Sequence, residues 1–387
     1  IRRLNLIRVF HALREHPDCS QRDLVEVTGL DKATTSAIVA QLVEEGLVER
    51  ADPPRAAARR ARRVGRPETA LAISPAAGLL VGARLEPVTI RILTATLAGT
   101  VVQQLQLPGC RDIDEALRRL HEGIDRAVAA SGDRPVRGIG IGLPGLMDRS
   151  GRLVLAPNLG WRDAPIRPLL EAALGAPVYV DNDTKAAALA ERLFGACRDV
   201  EDFLYLTGHS GVGGGLFLGG RLYRGASGFA GEIGHVTVVD GGRPCGCGKR
   251  GCLETYVSES AILSQAAERG RALPDLAAVA AAAAAGDPVV TALLEEVAGH
   301  LGLALSHVVN LLNPSLVVLG GALSLAADAI LPALERTLAR HALPPMLPGL
   351  HLMVSPLGAD AVPIGGIALA MEGFLTSHAA VRPLLRA

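Results

Sequence analysis

Aromatic side chains are scarce in this chain. Phe, Trp and Tyr make up 3% of its 387 residues, although apolar residues reach 49%. Its cores must therefore be built from Ala, Leu and Val. Lysine is rarer still: Lys32, Lys185 and Lys249 are the whole set. Arginine replaces it, a bias that genomic base composition explains. Charge of one sign is also lacking. Basic and acidic residues balance at 39 each, which excludes a global basic field, so any nucleic-acid contact must come from a local patch. No disulfide framework is evident, since Cys19, Cys110 and Cys197 are scattered. No signal peptide opens the sequence, and no uninterrupted apolar run reaches about 18 residues. A cytoplasmic protein without a membrane span is expected. The Ala-rich stretch 276–285 is too short to span and reads as a helix. The first residue is Ile1 rather than Met, so a few residues are expected ahead of it. The length allows two or three domains with cores of their own.

The remaining cysteines lie close together. His235, Cys245, Cys247 and Cys252 fall in the run G-E-I-G-H…C-G-C-G-K-R-G-C-L-E. Thiolates and imidazole at such spacing suit a closed tetrahedral Zn²⁺ site of structural type. Glycines 246, 248 and 251 let a short loop wrap one ion. The competing reading is a disulfide knot, which a reducing compartment disfavours. The flanking carboxylates Glu232 and Glu254 are not needed by the metal and are free for another task.

Residues 1–50 read as three short helices. Leu6, Ile7, Phe10 and Leu13 recur at helical spacing. Ser20 caps a second helix over 21–28 with Leu24, Val25 and Val27 inward, and Gly29 ends it. Asp31 caps a third, with Ile38, Val39, Leu42 and Val43 buried, and Gly46 ends that one. Helix, short glycine-containing turn, helix is the helix-turn-helix pattern. Strands over 47–49 and 69–73 would flank an arginine-rich loop. From Arg50 to Arg66 there are seven arginines against Asp52 alone. That composition reads as a basic wing; a solvated linker is the alternative. Lys32, Thr34, Thr35 and Ser36 are expected to face the major groove of double-stranded operator DNA. Arg60, Arg63 and Arg66 are expected to reach backbone or minor groove.

From residue 79 onward short Val/Ile/Leu/Gly strands alternate with helical patterns, which marks an α/β fold with two lobes. Candidate strands are 78–82, 90–96, 138–141, 178–180, 203–207, 212–218, 236–239 and 316–319. Asn182 and Asp183 fall just past a strand end and before a helix, where open α/β sheets bind ligands. Amide and carboxylate together can grip a polyol, and the carboxylate could act as general base on a sugar hydroxyl. Either residue alone could instead be the N-cap of the following helix. Lys185, one turn on, is either solvated, paired with Asp181, or selective for a phosphorylated or acidic sugar.

The zinc-type run resembles the signature of the ROK family of repressors and sugar kinases, and the resemblance extends from the N-terminal helices to Gly366. G-R-P at 65–67 is similar to the wing end of its repressors. The resemblance implies a winged helix-turn-helix at 1–73 and an actin-like, two-lobed ROK sugar-binding domain at 74–387. The first lobe would cover about 74–182 plus the C-terminal helix, the second about 183–364. It further implies sugar contacts at Asn158, Asn182, Asp183, Glu232, His235 and Glu254, with Asp183 at the catalytic-base position. His235 would hold zinc by one ring nitrogen and sugar by the other.

The resemblance weakens at the ATP phosphates. Where family kinases carry an acid-x-Gly-Gly-Thr hairpin, residues 81–90 read V-G-A-R-L-E-P-V-T-I. Arg84 replaces the acid. Glu86 repels phosphate, and Pro87 has no N–H to donate. The second phosphate loop begins at His209 in place of glycine, at a cost of roughly 1 kcal/mol if φ there must be positive. The adenosine-side stretches 312–321 and 363–366 are better preserved. A sugar-responsive regulator without useful kinase activity is therefore expected, acting as a homodimer or homotetramer on a sugar or sugar phosphate effector. An active ATP-dependent sugar kinase is the alternative.

Overall fold

The computed structural model describes residues 2–51, 69–209 and 211–381. Three helices open the chain: α1 (Arg2–Glu15), α2 (Gln21–Thr28) and α3 (Lys32–Glu44). Ser20 and Asp23 form a capping box at α2, and Gly29, at φ 63°, closes it in the left-handed conformation that glycine adopts without penalty. Asp31 caps α3 through the Thr34 N–H. Strands β1 (Val48–Ala51) and β2 (Ala70–Ile73) pair antiparallel as a winged helix requires. Their connection, which carries Arg60, Arg63 and Arg66, lies outside the described residues. Two expectations are corrected here. Val27 is 49% exposed rather than inward, because Leu24 and Thr28 occupy the buried side of α2. Thr35 is fully buried, and its hydroxyl donates to the Asp31 carbonyl. It belongs to the core side of α3 and cannot face a groove, whereas Lys32 and Ser36 are exposed.

The first lobe is a five-stranded sheet of order β10-β6-β3-β4-β5. Its elements are β3 (Leu79–Leu85), β4 (Thr89–Thr96), β5 (Val101–Pro108), α4 (Ile113–Ala130), β6 (Val136–Leu143), a small sheet of β7 (Leu146–Met147), β8 (Leu153–Ala156) and β9 (Trp161–Ala164), then α5 (Ile166–Leu174) and β10 (Val178–Asn182). Helix α6 (Asp183–Leu193) leads onward.

The second sheet, of order β13-β12-β11-β14-β15, repeats the antiparallel hairpin followed by parallel strands. It comprises β11 (Phe203–Gly208), β12 (Val212–Leu218) and β13 (Arg221–Leu222). Helices α7 (Glu254–Val257), α8 (Glu259–Glu268), α9 (Leu276–Ala284) and α10 (Pro288–Leu312) follow, then β14 (Leu316–Gly320), α11 (Ala327–His341), β15 (His351–Val354) and α12 (Ala361–Val381). Residues 236–239 are not a strand. Only Thr237 makes an isolated bridge, to Cys252, because the cysteine loop captures this segment.

Helix α10 and the stretch Gly358–Ser377 are long and apolar enough to cross a membrane by length and composition. More than half of each is buried inside the protein, so that apolarity already serves a core. Helix α12 joins the units. Glycines permit its close approach: a Cβ at Gly82 would lie 2.0 Å from the Pro363 carbonyl, and one at Gly140 1.9 Å from that of Gly366. Ile367, Met371 and Leu375 of α12 share one buried cluster with Leu6, Phe10 and Leu13 of α1. His11 Nε2 lies 2.8 Å from Glu372 Oε1, and Arg14 Nη1 donates to the Leu193 carbonyl at 2.6 Å.

Candidate functional site

Between the two sheets lies a cavity of about 530 Å³. The strand-to-helix turn from β10 to α6 delivers Asn182 and Asp183 to it. The loops after β6 and β8 bring Gly145 and Asn158. The segment after β12 brings Glu232 and His235, and the start of α7 brings Glu254. All six residues assigned by resemblance to sugar contact thus reach one space, from four separate stretches of chain.

Asn182 also caps α6. Its Oδ1 accepts from the Thr184 and Lys185 N–H groups at 3.0 and 3.1 Å, and its Nδ2 donates to the Gly145 carbonyl at 3.1 Å. One Nδ2 hydrogen remains for a ligand, so capping and binding are compatible in this amide. Asp183 accepts from the Thr184 N–H through Oδ1 at 2.8 Å.

Burial pushes the Glu232 carboxyl above the usual glutamate range, an effect that the nearby Lys185 ammonium opposes. Lys185 itself is 1% exposed, and its Nζ has no hydrogen-bond partner among the described residues. Solvation, one of the readings offered for it, is thereby excluded. Burial lowers its pKa, while Asp181 and Glu232 raise it. Asp181 is meanwhile held by Arg224 at 2.6 and 3.0 Å. Short alanines flank Lys185 along α6, which is the one sequence sign of a helix buried on every side.

On the Asp183 side of the cavity stands Glu86, from the β3–β4 turn. It forms an ion pair with the buried Arg84. Burial pushes its carboxyl upward, and Asp183 adds to that while Arg84 opposes it. Glu86 was legible as a departure from a phosphate hairpin but not as a cavity wall. His209 also lines this side, 3.8 Å from Glu259. Its φ is not positive, so the strain expected of a non-glycine residue there does not arise. Thr207, Arg243 and Ser258 line the cavity without having been singled out.

Beside the cavity, one ligand atom each of His235, Cys245, Cys247 and Cys252 falls within 4.8 Å of the others. The Cys247 and Cys252 sulfurs are 3.7 Å apart, and the Cys245 sulfur is 3.7 Å from His235 Nδ1. A tetrahedral Zn²⁺ with bonds of about 2.3 Å to sulfur and 2.0 Å to nitrogen needs edges of about 3.8 and 3.5 Å. The two measured edges are thus close to those of a zinc tetrahedron, and the donor set suits that ion. Nδ1 faces the sulfurs, which leaves Nε2 as the other ring nitrogen of a residue that also lines the cavity.

Residues 88–372 match the ROK family and residues 7–60 the MarR family. The xylose repressor of Caldicellulosiruptor bescii is 29% identical over 97% of both chains. A glucokinase of Halalkalibacterium halodurans is 34% identical over 74% of this chain and 93% of its own length. A solved ROK family transcriptional regulator, a homologue of the Escherichia coli MLC protein, superposes with a TM-score of 0.83 at 30% identity, covering 98% of each chain.

Proposed function

The chain belongs to the ROK family, and from that premise we propose that it is a sugar-responsive, DNA-binding transcriptional repressor whose kinase-like lobes serve as an effector sensor. One observation carries the reading. A winged helix exposing Lys32 and Ser36 shares a continuous core, through α12, with the first of the two lobes that enclose the acid-lined cavity. Full-length similarity to a xylose repressor and to a ROK regulator supports it.

In this reading residues 1–73 bind operator DNA and residues 74–387 bind sugar. Lys32 and Ser36 enter the major groove, with Thr34 beside them, and Arg60, Arg63 and Arg66 of the wing grip backbone or minor groove. A homodimer or homotetramer in the cytoplasm sets two α3 helices roughly 34 Å apart. Asn158, Asn182, Asp183, Glu232, His235 and Glu254 hold a sugar across both lobes, and its binding favours a closed form with altered spacing. An effector that binds one form about 100-fold better shifts the equilibrium by about 2.7 kcal/mol, which is enough for a switch. Zn²⁺ held by His235, Cys245, Cys247 and Cys252 is structural: it fixes the loop that carries Glu254 and the imidazole.

A second reading, an active sugar kinase, is favoured by Asp183 at the cavity and by similarity to a glucokinase. Phosphoryl transfer rests on positioning the ATP phosphates, and Glu86 and Pro87 stand where donors are wanted. The two are separated by measuring operator binding and sugar phosphorylation on the same preparation. The regulator reading expects sugar to change operator affinity while ATP and Mg²⁺ yield no sugar phosphate at useful rates. Turnover near 1 s⁻¹ or above, the low end of ordinary kinases, overturns it.

A further inference from the structure

We propose that Glu86 makes this cavity selective for uncharged sugars, excluding sugar phosphates from the same site. The inference rests on the reading of the cavity as an effector site and adds the class of effector it takes.

The argument is a census of charge. Glu86, Asp183, Glu232 and Glu254 all face the cavity. The cations that could balance an incoming phosphate are already committed. Arg84 is buried in an ion pair with Glu86 itself. Arg243 lines the cavity, but its two Nη atoms donate to Glu268 at 3.1 and 2.7 Å. Lys185 is walled off from solvent with Asp181 and Glu232 as its charged neighbours. His209 sits 3.8 Å from Glu259, and His235 turns Nδ1 to the sulfurs.

A phosphate would thus bring a near-dianion against carboxylates in a partly desolvated space, and among the described residues that line it no guanidinium or ammonium is free to meet it. A hydroxyl fits the same surroundings: it donates to a carboxylate and needs no countercharge. Glu86 stands at the end where the Asp183 carboxylate would receive the reacting hydroxyl in a kinase. The group it screens is therefore the terminal hydroxyl of the sugar, free or phosphorylated. Glutamate at this place does two things at once: it removes a phosphate-binding turn and puts a negative charge in its stead.

Calorimetry on the full chain tests this with D-glucose, N-acetyl-D-glucosamine, the 6-phosphate of each, and 6-O-methyl-D-glucose. At least one parent sugar should saturate the site, with its 6-phosphate weaker by about thirtyfold or more from charge repulsion. Glu86→Gln, which keeps a partner for Arg84, should narrow that gap about tenfold. The uncharged 6-O-methyl sugar should lose far less than the phosphate. A 6-phosphate that binds wild type as tightly as its parent overturns the proposal while leaving the effector reading intact. Equal rejection of the methyl ether and the phosphate also overturns it, since that is a steric wall. If neither the sugars nor their phosphates bind, this inference falls; if D-xylose added to the panel also fails to bind, the effector reading falls with it.

Discussion

Arg14 is the sharpest test of whether the winged helix is coupled to the lobes. Its side chain is 4% exposed, although it belongs to the DNA-binding unit. Nη1 donates to the Leu193 carbonyl at 2.6 Å, at the end of α6, and the guanidinium lies 5.1 Å from the Phe194 ring centroid. Nη2 is paired with Glu15 at 2.6 Å, while Nε is buried without a partner. Truncation to alanine removes a charge-assisted hydrogen bond of about 1.5–3 kcal/mol and a cation–π contact of about 0.5–2 kcal/mol. Relief of the unpartnered Nε returns about 1 kcal/mol. The net loss of docking is therefore about 1–4 kcal/mol, or roughly a five- to several-hundredfold rise in local opening. Hydrogen exchange measured by mass spectrometry should show α1 and α2 opening faster by that factor. The urea transition of Trp161, the only tryptophan and a reporter of the first lobe, should move little. The effect of sugar on operator affinity should shrink in parallel. Unchanged exchange in α1, or an equal loss at Trp161, would refute the reasoning, because the contact would then be either idle or simply part of global stability.

Replacing Cys247 with serine should abolish zinc binding and lower Tm by at least about 5 °C, since metal binding here is folding energy; elemental analysis that finds no zinc in freshly purified wild type would remove the claim. Burial raises the Glu232 carboxyl, so its neutral form is favoured in the folded state and its ionisation costs stability. The wild-type protein should gain stability relative to Glu232→Gln as pH falls from neutral toward the ordinary glutamate range, and the variant should bind sugar about ten- to a hundredfold more weakly. A constant difference in Tm between the two across that interval would contradict it. Gly82→Ala should cost about 3 kcal/mol or more, because its Cβ would lie 2.0 Å from the Pro363 carbonyl. Gly299→Ala, in α10 with nothing within 4 Å, should instead stabilise by about 0.5–1 kcal/mol. Urea midpoints of similar size and sign for both would show that helix and sheet do not meet as described.

Features with local causes were legible in the sequence. The caps at Ser20 and Asp31 are settled within four residues, and the metal donors fall almost within one loop. Apolar strands such as Phe203–Gly208 announce themselves because they are buried on both faces. Long-range causes were not legible. Residues 236–239 are as strand-like as any, yet the cysteine loop claims them. Strand β5, Val101–Pro108, was passed over because its Q-Q-L-Q-L alternation is that of a half-exposed edge. Thr35 and Val27 were misplaced by one helical position each, since periodicity gives the width of a buried stripe better than its margin. Lys185 defied its residue type: only the folded chain places carboxylates around an otherwise enclosed ammonium. The cavity residues were found as a set through resemblance, and Glu86 entered the site only when the turn was seen to reach it.

The position of α12 also sets the order in which the molecule can be assembled during synthesis. The strands it covers, and the helix α1 it supports, leave the ribosome long before it does. The side-chain contact between His11 and Glu372 spans 361 positions. At about 5–20 residues per second, that separation corresponds to roughly 20–70 seconds of translation. For the later part of that time, once β10 has been made, one face of the first sheet, with its bare glycine backbone at Gly82 and Gly140, lacks the helix that covers it. The apolar side of α1 is equally uncovered. The nascent chain therefore exposes apolar surface, and with it a risk of aggregation, that the finished protein does not. The DNA-reading unit, although made first, becomes fixed to its sensor only when α12 emerges and closes the seam.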